Sequence, residues 1–226
     1  MKYRDRQEAG QKLGAALQAF AREHPIVLAL PRGGVPVGYE VAAALRAPLD
    51  VWVVRKIGVP WHPELGLGAV AEGGTVHVSR EILPYIGLSN GELSAAIATK
   101  RREVEARVTM FRGDRPRPVL RDRTVIVVDD GIATGGTMRV AVRSIRAEEP
   151  SKIVIAVPVA SPDTITALSA DVDRIVSLLT PSSLYAVGLW YEDFRQVSDD
   201  DVVSILERSR RELAGRQSAA AAPQGT

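Results

Sequence analysis

Short runs of apolar, mostly β-branched residues recur along this chain, each closed by a turn and followed by helical spacing. The clearest is Val125 to Val128, and the others are Ile26 to Leu30, Val51 to Val54, Ile153 to Val159 and Arg174 to Leu178. A short apolar run bounded by turn residues fits a strand buried on both faces. Strands of that kind alternating with helices predict an α/β fold, with a central, mainly parallel sheet covered by helices on both sides. Between them, apolar residues at helical spacing predict helices over 5–23, from Val37 to Leu45, over about 89–111 and 137–147, and from Ser161 and Ser198 onward. Ser89 with Glu92 has the capping-box pattern, and Ser161-Pro162 places a cap ahead of a first-turn proline.

The boundaries follow from punctuation. Residues 57–74 form a long segment rich in Gly and Pro, and Thr75 to Ser79 alternates as in a short strand. Residues 1–215 form one domain, and the small, polar segment 216–226 is expected to be a disordered tail. Hydrophobic residues at 46% and charged residues at 25% fit a globular chain and exclude a disordered or collagen-like one. The absence of cysteine removes disulfides, thiol nucleophiles and thiolate metal sites. A net charge of +2 is too small to argue for DNA. No apolar stretch is long enough to span a bilayer, so no membrane partner and a cytoplasmic location are expected.

Chemistry concentrates where predicted strands end. In the segment 125–138, VIVVDDGIATGGTM, Thr134-Gly135-Gly136-Thr137 joins a strand to a helix start. Glycines let the backbone wrap a ligand, and free N–H groups with the helix dipole favour a phosphate. Just before it, Asp129 and Asp130 repel each other and need hydroxyls or a metal as partners. A phosphate cradle beside paired carboxylates suggests a phosphorylated sugar. The P-loop pattern fails because Thr137 stands where a lysine is required, and the turn PRGGVPVG lacks the dinucleotide fingerprint. Pro31-Arg32-Gly33-Gly34 is a second strand-to-helix turn, with a cation suited to a diphosphate. Arg55 and Lys56 follow the next strand, where open α/β sheets bind ligands. The basic stripes Lys100, Arg101, Arg102 and Arg107, and Arg139, Arg143 and Arg146, read as solvated faces.

Residues 125–137 resemble the phosphoribosyl-pyrophosphate (PRPP) motif of type I phosphoribosyltransferases, and DDGIATGGT is most similar to the adenine-specific version. The resemblance runs from about Asp5 to Leu213. It implies that Asp129 and Asp130 hold the ribose hydroxyls, and that the backbone from Ala133 to Thr137, with the Thr134 and Thr137 hydroxyls, binds the 5′-phosphate. It further implies that the loop at Arg32, Gly33 and Gly34 binds the pyrophosphate, with a non-proline cis peptide near Arg32-Gly33; Arg55 and Lys56, by their place at a strand end, read as a second pair of charges on it or as two solvated cations. Mg²⁺ would be carried mainly on PRPP and pyrophosphate, with no metal site of the protein's own. The resemblance makes residues 57–80 the flexible lid loop that closes over this chemistry, and its His62, Glu64 and Glu72 are candidate proton-transfer groups, equally readable as ordinary loop residues, with Glu72 the catalytic candidate. Arg32, Asp129 and Asp130 complete that catalytic set. Residues 185–197 are the candidate hood over a nucleobase-like acceptor, with Trp190 stacking and Asp193 reading base edges; alternatively these aromatics pin the last helix. Where 6-oxopurine enzymes carry an aspartate before T-G, this chain has Ala133, which argues against that substrate class. A homodimer is a family-level expectation. The other reading is a non-catalytic PRPP- or nucleotide-binding regulator.

Overall fold

A computed structural model describes residues 2–59, 62–79 and 83–221. Five strands form the parallel central sheet: β1 (Ile26–Ala29), β2 (Leu49–Val51), β6 (Thr124–Val128), β7 (Lys152–Val159) and β8 (Arg174–Leu179). Their order is β2-β1-β6-β7-β8, and every neighbouring pair is parallel. Successive side chains on a strand point to opposite faces, so each strand feeds two cores. Val27, Ala29, Ile126 and Val128 pack toward one side, with Val35 and Val41 of α2 (Gly34–Leu45) and Leu13 of α1 (Arg6–Ala16). Leu28, Val125, Val127 and Ile155 pack toward the other, with Met138 and Ile145 of α5 (Gly136–Arg146) and Leu168 of α6 (Pro162–Ser169). This explains why the strand sequences are apolar throughout rather than alternating.

The chain leaves β1 through α2 toward β2 and leaves β6 through α5 toward β7, in opposite directions across the sheet. The gap between β1 and β6 is therefore the switch point, where ligands of open α/β sheets bind. Ala29 is level with Val128, so the two strands end side by side and their turns meet.

Two expectations are corrected here. The lid segment is largely a second sheet: β3 (Val54–Val59), β4 (His62–Ala71) and β5 (Val76–Val78) pair antiparallel. Gly68 marks a close backbone approach, since a Cβ there would lie 2.1 Å from the His77 carbonyl oxygen, whereas Gly73 and Gly74 turn the chain between β4 and β5 at φ +84° and +82°. The expected strand from Val51 to Val54 is likewise divided between the two sheets. The break is at Trp52, which is fully buried and donates its indole N–H to Ser144 Oγ at 2.7 Å.

A single helical turn, α3 (Leu83–Ile86), precedes long α4 (Asn90–Arg112). The latter begins with the expected capping box at Ser89 and Glu92 and ends at Gly113. The last helix, α7 (Asp199–Ala221), opens where Ser198 accepts from the Asp201 N–H, and it runs past Leu213 into the expected tail. Alanine is the strongest helix former, so residues 217–221 extend the helix instead of disordering. No described helix is long and apolar enough to cross a membrane.

Candidate active site

At the switch point the first two turns are in contact. The Leu30 N–H donates to the Val128 carbonyl at 2.9 Å. A Cβ on Gly33 would lie 2.0 Å from Asp130 Oδ2, and one on Gly34 would lie 2.7 Å from the Val128 carbonyl oxygen. Both positions need glycine because a side chain would drive the acidic turn away. The Pro31–Arg32 peptide is cis, so the expected non-proline cis bond falls one residue before Gly33.

The Thr134–Thr137 loop, the candidate phosphate cradle, is fixed by β7 and α6. Gly135 caps α5 in the left-handed region, φ +74°, and a Cβ there would meet Thr164 Cγ2 at 2.9 Å. The Thr164 hydroxyl donates to the Ala133 carbonyl at 2.6 Å, and the Ile132 N–H to the Val159 carbonyl at 2.9 Å, which fix the loop to β7 and α6. Thr134 and Gly136 are exposed, and a Cβ on Gly136 would meet open space. The first turn of α5 thus presents its N–H groups and helix dipole to open space, a placement suited to an anion.

Asp129 and Asp130 stand between cradle and glycine turn. The Asp130 N–H donates to Asp129 Oδ1 at 2.9 Å. Burial and the neighbouring Asp130 charge push the Asp129 carboxyl well above the usual carboxylate range. Burial also raises Asp130, against the opposing pull of Arg6. Arg6 lies on α1 and reaches Asp130 Oδ2 at 2.8 Å through both Nε and Nη2. The Tyr191 hydroxyl donates to the Asp130 carbonyl at 2.5 Å. Sequence reasoning missed Arg6, because a pairing across 124 residues leaves no local signature; Tyr191 falls in the candidate hood 185–197 but bonds the Asp130 backbone.

A second cavity, about 290 Å³, opens beside the cis peptide and is lined by Arg32, Arg55, Arg107 and Phe111 among others. Asp199 lies 3.7 Å from Arg32 and also pairs with Arg107. Burial, then the charge of Arg107, lowers the Arg55 pKa, and Arg55 Nε is buried without a hydrogen bond. Arg107, read as a solvated cation, faces this cavity instead. Arg139, Arg143 and Arg146 are likewise engaged, with Asp171, His77 and Asp173. Lys56 does not join the cavity. It is exposed and lines a different pocket with Gly58, Thr99 and Lys100, because adjacent residues of β3 point to opposite faces.

Three further candidates are placed differently from expectation. Glu72 is only 5% exposed and is held by Arg112, whose Nη1 donates to Oε1 at 2.5 Å and Nη2 to Oε2 at 3.2 Å. Arg112 also bonds Asp50, and Arg117 lies 3.7 Å from Glu72. With both oxygens committed, Glu72 is part of a buried ion cluster and not a poised proton-transfer group. Trp190 and Asp193 clamp the N-terminus rather than the last helix: the Tyr3 N–H donates to the Trp190 carbonyl and the Asp193 N–H to the Arg4 carbonyl, both at 2.8 Å. Tyr3, Tyr191, Trp190 and Phe194 pack as one cluster. Asp193 also borders a cavity of about 410 Å³ beside Arg6. The side chains of His62 and Glu64 lie outside the described residues. Among the described residues no three His, Asp or Glu side chains converge to hold a metal ion.

Comparison with known proteins agrees with this geometry. The family profile for the Phosphoribosyl transferase domain matches residues 6–189. Two Mycobacterium tuberculosis proteins with phosphoribosyl transferase in their names, from strains CDC 1551 and H37Rv, are each 42% identical over 221 residues. The match covers 97% of this chain and 50% of each relative, so the chain spans about half their length. The crystal structure of TT1426 from Thermus thermophilus is 42% identical with a TM-score of 0.79, covering 92% of this chain and 99% of that one. The chain belongs to the phosphoribosyl transferase family.

Proposed function

We propose that the protein is a Mg²⁺-dependent phosphoribosyltransferase that moves the 5-phosphoribosyl group of PRPP to a nitrogen acceptor, a nucleobase by class, and releases pyrophosphate. The observation that carries this reading is the meeting of Gly33 and Gly34 with the Asp129–Asp130 pair, next to the open cradle at Thr134–Thr137. A sugar phosphate bound there has its 5′-phosphate on the start of α5 and its hydroxyls on the carboxylates.

Each group then has a role. Backbone N–H groups from Gly135 to Thr137 and the Thr134 and Thr137 hydroxyls hold the 5′-phosphate. Asp129 and Asp130 accept the ribose hydroxyls and lie near C1 as positive charge develops. The bond from C1 to the pyrophosphate oxygen breaks with its electron pair on oxygen, and the acceptor nitrogen's lone pair forms the new bond. The nitrogen's proton passes to the departing pyrophosphate or to water. Arg32, Arg55 and Arg107 neutralise the pyrophosphate charge, and positioning with electrostatics supplies most of the rate. Magnesium prefers phosphate oxygens and water to a full protein cage, so it would be carried mainly on PRPP and pyrophosphate. When bound, it supplies charge neutralisation on the pyrophosphate.

The test is pyrophosphate release from PRPP with Mg²⁺ across purine and pyrimidine bases, with Asp130→Asn as control. Base-dependent release that is lost in the variant is expected. PRPP binding without release from any base would favour a non-catalytic PRPP sensor, and absence of PRPP binding would refute both readings.

A further inference from the structure

Asp130 is gripped on one side only. Arg6 directs both Nε and Nη2 to the same oxygen, Oδ2. A guanidinium paired with a carboxylate commonly engages both oxygens. Here Asp130 Oδ1 takes no hydrogen bond from a described residue. Asp129 shows the same division, giving Oδ1 to the Asp130 N–H while Oδ2 takes none from a described residue. Two unclaimed oxygens on adjacent carboxylates, beside a turn stripped of side chains at Gly33 and Gly34, match a vicinal diol.

Arg6 is itself held firmly. Its Nη1 donates to the Arg195 carbonyl at 2.8 Å, and its guanidinium lies 3.8 Å from the centroid of the Phe194 ring. Its side chain is 11% exposed. Phe194 packs on Tyr191 at 5.0 Å, and Tyr191 packs on Tyr3 at 5.5 Å. The aromatic cluster therefore fixes Arg6, and Arg6 fixes Asp130.

We propose that Arg6 is a positioning residue for the sugar: by engaging Oδ2 alone it locks Asp130 with Oδ1 free for a ribose hydroxyl. This rests on the PRPP reading above. The groups facing Asp130 are Asp129 on its own turn, Arg6 from α1, and Tyr191 with Tyr3 behind it. The turn into α2 brings only glycines 33 and 34. Burial raises both tyrosine hydroxyls, Tyr3 to about 12, so they stay neutral. Arg6 is the cation hydrogen-bonded to the pair among the described residues, and it opposes the burial that favours a protonated Asp130. A protonated carboxyl would turn an acceptor toward the sugar into a donor.

The experiment is equilibrium binding of PRPP with Mg²⁺ to the full chain between pH 5.5 and 8.5, for wild type, Arg6→Met and Arg6→Lys. Titration of PRPP's own phosphates is common to all three, so the variant-to-wild-type ratio at each pH is the readout. Arg6→Met is expected to weaken PRPP by about tenfold at the alkaline end, the scale of a lost charged hydrogen bond, and by more as pH falls. Arg6→Lys is expected to recover part of the loss, and inorganic pyrophosphate affinity to stay unchanged. A loss equal at every pH and not rescued by lysine, an equal loss for pyrophosphate, or no loss would overturn the proposal. Wild type failing to bind PRPP at any pH would instead overturn the functional reading on which it rests.

Discussion

Two buried clusters of charge differ in how they are balanced. Around Arg112 (3% exposed) and Glu72 every acid has an arginine: Arg112 holds Asp50 and Glu72, and Arg117 lies near Glu72 and pairs with Glu148. At the switch point two acids, Asp129 and Asp130, meet a single arginine among the described residues, and both carboxyls are raised. A buried charge needs a partner, and a group left short of one is costly to the fold. The first cluster finds its partners within the protein and joins β2, the β4–β5 turn and α4. The second lacks partners toward the crevice, which is what a site prepared for sugar hydroxyls requires. Partners within the protein, more than burial, separate Glu72 from Asp129 and Asp130.

The largest expected contrast comes from breaking the balanced cluster. Arg112→Met leaves Asp50 and Glu72 without their central partner, at a cost of about 3–5 kcal/mol. At this chain length that lowers the melting temperature by roughly 10 °C or more. Glu72→Gln is expected to destabilise in the same sense while PRPP affinity is kept. Loss of turnover with full stability would restore Glu72 as a catalytic group.

Arg107→Gln sharpens the other side. It removes a cation from the arginine-lined cavity, and calorimetry is expected to show pyrophosphate binding weakened by about tenfold, with melting little changed. Unaltered affinity would return Arg107 to the solvated stripe.

Asp129→Asn should have a smaller, pH-dependent effect of opposite sign to Arg112→Met. Because the folded-state pKa of Asp129 is raised, between the unfolded and the folded value the folded chain holds a proton that the unfolded chain has released. Its contribution to stability is fully present below the unfolded value and is lost as pH rises through the folded one. The amide removes that loss, so melting at pH 7.5 should rise by about 2–4 °C for each kcal/mol recovered, and the gain should vanish toward pH 4. A gain independent of pH would contradict the assignment of the cause. Arg143→Ala, on a partly exposed contact with His77, is expected to shift stability by less than about 0.5 kcal/mol.

The parallel sheet and the cradle were legible in the sequence because their rules are local. Apolar run, acidic turn, glycines and helix start follow one another within residues 125–138. The second sheet was not legible. Gly58 and Gly68 read as loop residues until the pairing of β3, β4 and β5 places them in strands, with a side chain excluded at Gly68. Arg6, Arg107 and Glu72 take their meaning from partners distant in the chain: Asp130, Asp199 and Arg112. No spacing rule encodes such pairings. Lys56 illustrates the converse: placement after a strand was legible, but its face depended on a register that only the sheet supplies.

The most direct test of the unbalanced pair compares thermal melts of wild type and Asp130→Asn with and without PRPP and Mg²⁺. A ligand that binds only the folded state raises its melting temperature as its concentration exceeds the dissociation constant. The account predicts a clear upward shift for wild type and none for Asp130→Asn, whose ligand-free melting temperature equals or exceeds that of wild type. Equal PRPP-induced shifts in both proteins would contradict it.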